Sequence, residues 1–179
     1  MKKIIFITLL LYVFQFGSAQ EITLKSGELD LVVNKPLERV GNIKYYFMTF
    51  IAIPSIKERD QIVNLGVTFL EYIPNNTYIV NLDQQCELSA LNNYGVIALS
   101  PIEGKHKLDP KIQNNNYPKW AINAGELSIK VLLYKDANTS VTQEIFKSNG
   151  YKIDDISLLS NRITITIKPT DLGTIANMS

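Results

Sequence analysis

The 179-residue chain contains one histidine and one cysteine, and these two scarcities exclude more chemistry than any other feature. A lone cysteine, Cys86, rules out an internal disulfide framework. With no C-x-x-C and no second histidine, the usual zinc ligand sets cannot be assembled. His106 is the one imidazole available to a Ser–His–Asp triad, and it lies between Lys105 and Lys107 in a proline-bounded stretch where a solvated loop residue is expected. No serine stands in a G-x-S-x-G elbow, and no glycine-rich loop is built to cradle phosphate. Cys86, lacking a base, reads as a half-buried apolar residue rather than a nucleophile. Asp154 and Asp155 are adjacent on a strand, so they are expected on opposite faces rather than as an acid/base pair. Charge is also sparse: a 20% charged fraction and a net charge of +1 supply no basic face for nucleic acid or anionic lipid. The chain is expected to hold no metal or cofactor and to carry no catalysis of its own.

What is present begins with a leader. Lys2 and Lys3 precede an apolar run over residues 4–16, and Gly17, Ser18 and Ala19 supply the small residues of a cleavage site before Gln20. Residues 1–19 therefore read as a signal peptide, with export to the periplasm or beyond and no membrane association after cleavage. Residues 20–42 form a lead-in, extended at first and interrupted by Pro36 and Gly41, with at most one strand docking on the first folded unit.

The rest is organised around residues 45–82. Runs at 45–51, 67–73 and 78–82 are rich in aromatic and β-branched residues and predict strands. Ser55 and Glu58 make a capping box, Ile56, Arg59, Ile62 and Val63 share a helical face with Leu65 beside it, and Gly66 is the stop. Pro74, Asn75 and Asn76 turn the chain into the third strand. A short helix at 87–93 and a strand at 96–99 complete β-α-β-β-α-β over residues 43–100, the ferredoxin-like order.

The unit recurs. Eighty-four residues on, Gly150 answers Gly66 and Leu172 answers Leu88. A strand is expected at 129–134, a capping box at Ser140 and Gln143, an apolar helix face from Val141, Ile145 and Phe146, and a strand at 153–156. After a turn at Ser160 and Asn161, Ile163, Ile165 and Ile167 alternate with Thr164 and Thr166, the pattern of one buried and one wet sheet face. The fold class is thus α+β, two tandem ferredoxin-like domains: repeat one at 43–100, a linker at 101–125, and repeat two at 126–179. Repeat two lacks its last strand, which should come after its second helix and whose absence leaves an open sheet edge. In the linker Trp120 and Tyr117 read first as core-anchoring aromatics and second as a partner hot spot.

Repeat one also resembles the N-terminal pro-region of secreted, Bacteroidetes-type subtilisin-like serine proteases. The residues that carry the likeness are Leu65 to Val80, with Gly66, Tyr72, Pro74 and Tyr78 at its fixed points, then Lys107, Leu108 and Pro110, and the opening stretch from Ile22 to Gly27. The resemblance implies a pro-region that templates folding of a subtilisin-like catalytic domain in cis and inhibits it. The family's Asp, His and Ser catalytic motifs are not in this chain. Tyr46, Met48 and Phe50 on one side, with Phe47 and Ile51 on the other, make both faces of the first strand apolar, and Tyr46, Phe47 and Met48 are the expected partner-binding residues. A stand-alone exported protease inhibitor and a structural or interaction module are the alternatives.

Overall fold

Local signals set most of the elements. The structure, a computed structural model, describes residues 20–24, 27–31 and 36–178, so the signal-peptide expectation for 1–19 lies outside the described residues. The lead-in contributes two strands, β1 (Gln20–Leu24) and β2 (Gly27–Leu31), which pair antiparallel with each other in a sheet of their own rather than adding one strand to the first unit's sheet.

The first unit runs β3 (Tyr45–Phe50), α1 (Ile56–Asn64), β4 (Val67–Ile73), β5 (Thr77–Leu82), α2 (Leu88–Leu91) with a 3-10 turn at Asn92–Tyr94, and β6 (Val96–Pro101). Helix α1 starts at the Ser55–Glu58 box: the Ser55 hydroxyl accepts from the Glu58 amide, and the Glu58 carboxylate accepts from the Ser55 amide at 2.7 Å. Gly66 comes next at φ +91°, where a Cβ would lie 3.0 Å from that of Asp83, so both backbone and space require glycine. Asn75 and Asn76 both take left-handed φ in the β4–β5 hairpin, a geometry asparagine tolerates better than most residues. The four strands form an antiparallel sheet in the order β4-β5-β3-β6. Tyr46, Met48, Phe50, Val80 and Leu82 pack under Ile62 of α1 and Leu91 of α2 in the first core.

The second unit runs β7 (Ile122–Asn123), β8 (Glu126–Leu132), α5 (Thr139–Ser148), β9 (Lys152–Ser157), β10 (Arg162–Ile167), a 3-10 turn at Pro169–Asp171, and α6 (Leu172–Ala176). Its antiparallel order is β7-β8-β10-β9. Ile163, Ile165 and Ile167 are buried against Phe146, Leu172 and Ile175, while Thr164 and Thr166 face outward as their alternation requires. Two local expectations change. The N-cap of α5 is Asn138, whose Oδ1 accepts from the Val141 amide at 3.1 Å, not a box starting at Ser140. Phe146 is buried but Val141 and Ile145 are exposed, so the helix rests on a narrower face than its apolar residues mark out. The place beside β8 that β6 holds beside β3 is taken by β7, a two-residue strand folded back through Ala124 and Gly125, which pairs only with Glu126 and Leu127.

The stretch between the units is an ordered strap. It carries α3 (Gly104–Lys107), α4 (Pro110–Gln113) and a 3-10 turn at Lys119–Ala121. Gly104 lies against α6 so closely that an added Cβ would meet Asn177 Oδ1 at 2.7 Å and Ala176 Cβ at 3.2 Å. Lys107 Nζ donates to the Met178 carbonyl at 2.9 Å, and Leu108, Ile112 and Tyr117 pack on the second core. Trp120 is not a core anchor: it is 83% exposed. Among the described residues no helix is long and apolar enough to cross a membrane.

Candidate functional site: the seam between the sheets

The three residues expected to bind a partner are all interior. Tyr46 and Met48 point into the first core with no exposed surface, and Phe47, 2% exposed, points the other way. The face that Phe47 occupies is covered by the chain itself. Ile102 packs on Phe47, with Tyr45, Ile73, Ile79 and Tyr134 around them. The apolarity of both faces of β3 therefore has an internal cause, and a surface made of Tyr46, Phe47 and Met48 is not open in this conformation.

The seam is built from the turn after β8. Tyr134 stacks on Tyr45, ring centroids 4.1 Å apart at 29°. Two residues on, Asp136 accepts from Asn81 Nδ2 at 2.6 Å and from the Tyr45 hydroxyl at 3.3 Å, tying the second unit to β3 and β5 of the first. Asn161 holds this turn from behind, donating through Nδ2 to the carbonyls of Leu133 and Tyr134. Burial pushes both phenols up to about 12, and the Asp136 carboxylate adds to the shift because a phenolate beside it would be repelled. Nothing in the sequence marks this seam. Tyr134 reads only as the end of a strand at 129–134, and Asn81 reads only as a strand residue.

His106 sits at one margin. Its ring meets Phe47 edge-on at a centroid distance of 5.7 Å, and its Nδ1 accepts from the Glu103 amide at 3.1 Å at the start of α3. The expectation of a solvated loop histidine is thereby corrected: it is half-buried and holds a backbone amide. That hydrogen bond requires an unprotonated Nδ1, and burial followed by the Lys105 charge lowers the imidazole below its usual range. Cys86 is buried in the first core, where desolvation raises the thiol, the opposite of what a nucleophile needs.

The outer face of the second sheet is different in character. It presents Ser128, Lys130 and Leu132 from β8 beside Arg162, Thr164 and Thr166 from β10, at matched positions along the pairing. A bulge in β9 opposite Thr164 and Ile165 places Asp154 and Asp155 together on this face, contrary to simple strand alternation. Asp155 pairs with Arg162 at 3.0 Å, and Asp154 accepts from Thr166 Oγ1 at 2.6 Å and from Lys152 at 3.0 Å. The Thr166 hydroxyl and then Lys152 hold the Asp154 carboxyl below its usual range, so the neighbours are two separately partnered carboxylates rather than one sharing a proton. Among the described residues no group of three or more His, Cys, Asp or Glu side chains is placed to hold a metal ion.

These surfaces are a closed aromatic seam inside the molecule and an open polar sheet face beside it. No curated protein and no solved structure matches the chain. Residues 23–103, from within β1 to just past β6, match the family described as Domain of unknown function (DUF8729).

Proposed function

We propose that this chain is an exported, non-catalytic binding module of two ferredoxin-like repeats. In this reading it serves as the pro-region of a subtilisin-like serine endopeptidase, templating and inhibiting a catalytic domain that it meets in cis. One observation carries the repeat assignment: β4-β5-β3 and β9-β10-β8 run in the same order, each preceded by the same strand–helix–strand–hairpin sequence with helices packed on one face. The pro-region assignment rests on the resemblance of residues 65–80 and 107–110 and on the open polar face of the second sheet. Because the chain closes the first sheet with its own residues, the docking face in this proposal is that outer face, around Leu132, Thr164 and Thr166.

The test is refolding of secreted subtilisin-like catalytic domains with and without the chain, read as recovered peptidase activity, with inhibition of the mature enzymes measured alongside. Faster recovery together with inhibition is the expected result, and Leu132→Asp, a change at an exposed position, weakens both. Inhibition without any effect on refolding identifies a stand-alone inhibitor instead. No effect on either quantity refutes the protease reading.

A further inference from the structure

Tyr45 and Tyr134 come from different units and meet face to face. Their ring centroids are 4.1 Å apart with 29° between the planes, whereas Tyr72 and Tyr78 meet nearly edge-on at 5.1 Å and 67°. Both seam tyrosines are half-buried, so the pair is held in place yet still reachable from solvent. The Asp136 carboxylate anchors it, accepting from the Tyr45 hydroxyl at 3.3 Å and from Asn81 Nδ2 at 2.6 Å, while Asn161 donates to the Tyr134 carbonyl at 2.7 Å. Phenylalanine at either position would supply the same ring stack, so what the hydroxyls add is chemistry.

A phenol that loses one electron and its proton becomes a phenoxyl radical, with its spin in the π system on oxygen and on the ring carbons flanking the C–O bond. Two such radicals join through those carbons. The bond forms along the normal to the rings, the direction in which stacked rings face each other and edge-on rings do not. We propose that Tyr45 and Tyr134 are a site of oxidative cross-linking, at which a haem peroxidase with hydrogen peroxide joins a Cε of one ring to a Cε of the other as dityrosine. The Tyr45 proton passes to Asp136 Oδ1 and the Tyr134 proton to water. Once the carbon–carbon bond has formed, the hydrogen on each joined carbon moves to the oxygen and restores the phenol. The pair loses two electrons and two protons in all, and one peroxide is reduced to two waters. Because burial and then Asp136 push both phenols up to about 12, electron and proton leave together at neutral pH. The negative charge of Asp136, with Glu71 near Tyr134, lowers the cost of withdrawing the electron. The site stands on ring geometry and does not depend on the protease reading.

In the test, the full chain at low concentration is treated with a haem peroxidase and one equivalent of hydrogen peroxide, and the monomer is then isolated under denaturing conditions. The expected product has blue dityrosine fluorescence, an intact mass lower by two hydrogens, and one cross-linked peptide pair that joins residue 45 to residue 134. Tyr45→Phe and Tyr134→Phe, which keep the ring stack, each abolish that product, whereas Tyr78→Phe leaves its yield unchanged. The cross-linked chain unfolds at higher denaturant concentration than the untreated chain, because the new bond closes the loop between residues 45 and 134 in the unfolded state. Dityrosine confined to dimers, a cross-link between Tyr72 and Tyr78 in its place, or monomer fluorescence that survives Tyr134→Phe overturns the proposal. Monomer that is oxidised at tyrosine without any cross-link overturns it equally.

Discussion

Replacing Tyr134 by alanine tests whether the seam, and not the strap alone, holds the two units together. Tyr134 is half-buried and stacked on Tyr45 with centroids 4.1 Å apart. A tyrosine buries about 200 Å² when fully enclosed, so half of that, at about 25 cal/mol per Å², gives about 2.5 kcal/mol. The ring–ring geometry adds about 1 kcal/mol. Extended-chain reference areas overstate burial, so the expected loss is about 2–3 kcal/mol. The assay is denaturant unfolding followed by far-ultraviolet circular dichroism, since Trp120 is too exposed to report on the seam. A cycle with Tyr45→Ala isolates the direct pair, with a coupling energy of about 1 kcal/mol expected for the stack. Leu159→Ala, at a fully exposed hairpin position, serves as the control and costs less than about 0.5 kcal/mol. A Tyr134→Ala cost as small as that of the control, or zero coupling to Tyr45, refutes the reasoning.

The same geometry sets three further outcomes. The Tyr45 and Tyr134 hydroxyls titrate near 10 when free and near 12 in the fold, so their contribution is complete below pH 10 and is lost between 10 and 12; tyrosinate absorbance and melting temperature should change together over that window. His106 has a folded value below its ordinary 6.5, so stability is full above that pH and declines as pH falls through it; His106→Gln, which keeps an acceptor for the Glu103 amide, removes that component of the acid dependence in unfolding titrations. Asn138→Ala costs about 1 kcal/mol by denaturant unfolding because it deletes the α5 cap, whereas Ser140→Ala stays within a few tenths; equal costs would show that the cap has been misplaced.

Sequence reading succeeded where a residue's own chemistry fixes its conformation. Ser55 with Glu58, Gly66, the Asn75–Asn76 hairpin and the Ile163–Ile165–Ile167 alternation each determine their structure within a few residues, and each was legible. Where two local signals competed, spacing was a weaker guide. Asn138 and Ser140 are both capable caps, and the choice of Asn138 lets the buried face of α5 present Phe146 to the isoleucines of β10. A bulge shifts side-chain parity without leaving any compositional trace, which is why Asp154 and Asp155 share a face unexpectedly. The site was hardest to read because its parts are far apart: Tyr45, Asn81, Tyr134 and Asp136 come together only when the turn after β8 reaches the first sheet. Apolarity on both faces of β3 reads locally as a partner-binding surface, because the residues that cover the Phe47 side, Ile102 and Tyr134, lie far along the chain.

The two cores are closed in chain order. Among the described residues, members of the first run from Leu37 to Leu99 and those of the second from Leu108 to Met178, with no residue of one core belonging to the other. As a chain emerges from a ribosome or a translocation channel, the first unit can therefore reach its native packing before any of the second has appeared. Until Tyr134 emerges, however, the Phe47 side of the first sheet lacks part of its cover, leaving an apolar surface open for the time needed to make the next few dozen residues. A holding chaperone meeting this protein during synthesis would find that surface, and its release would coincide with the closing of the seam.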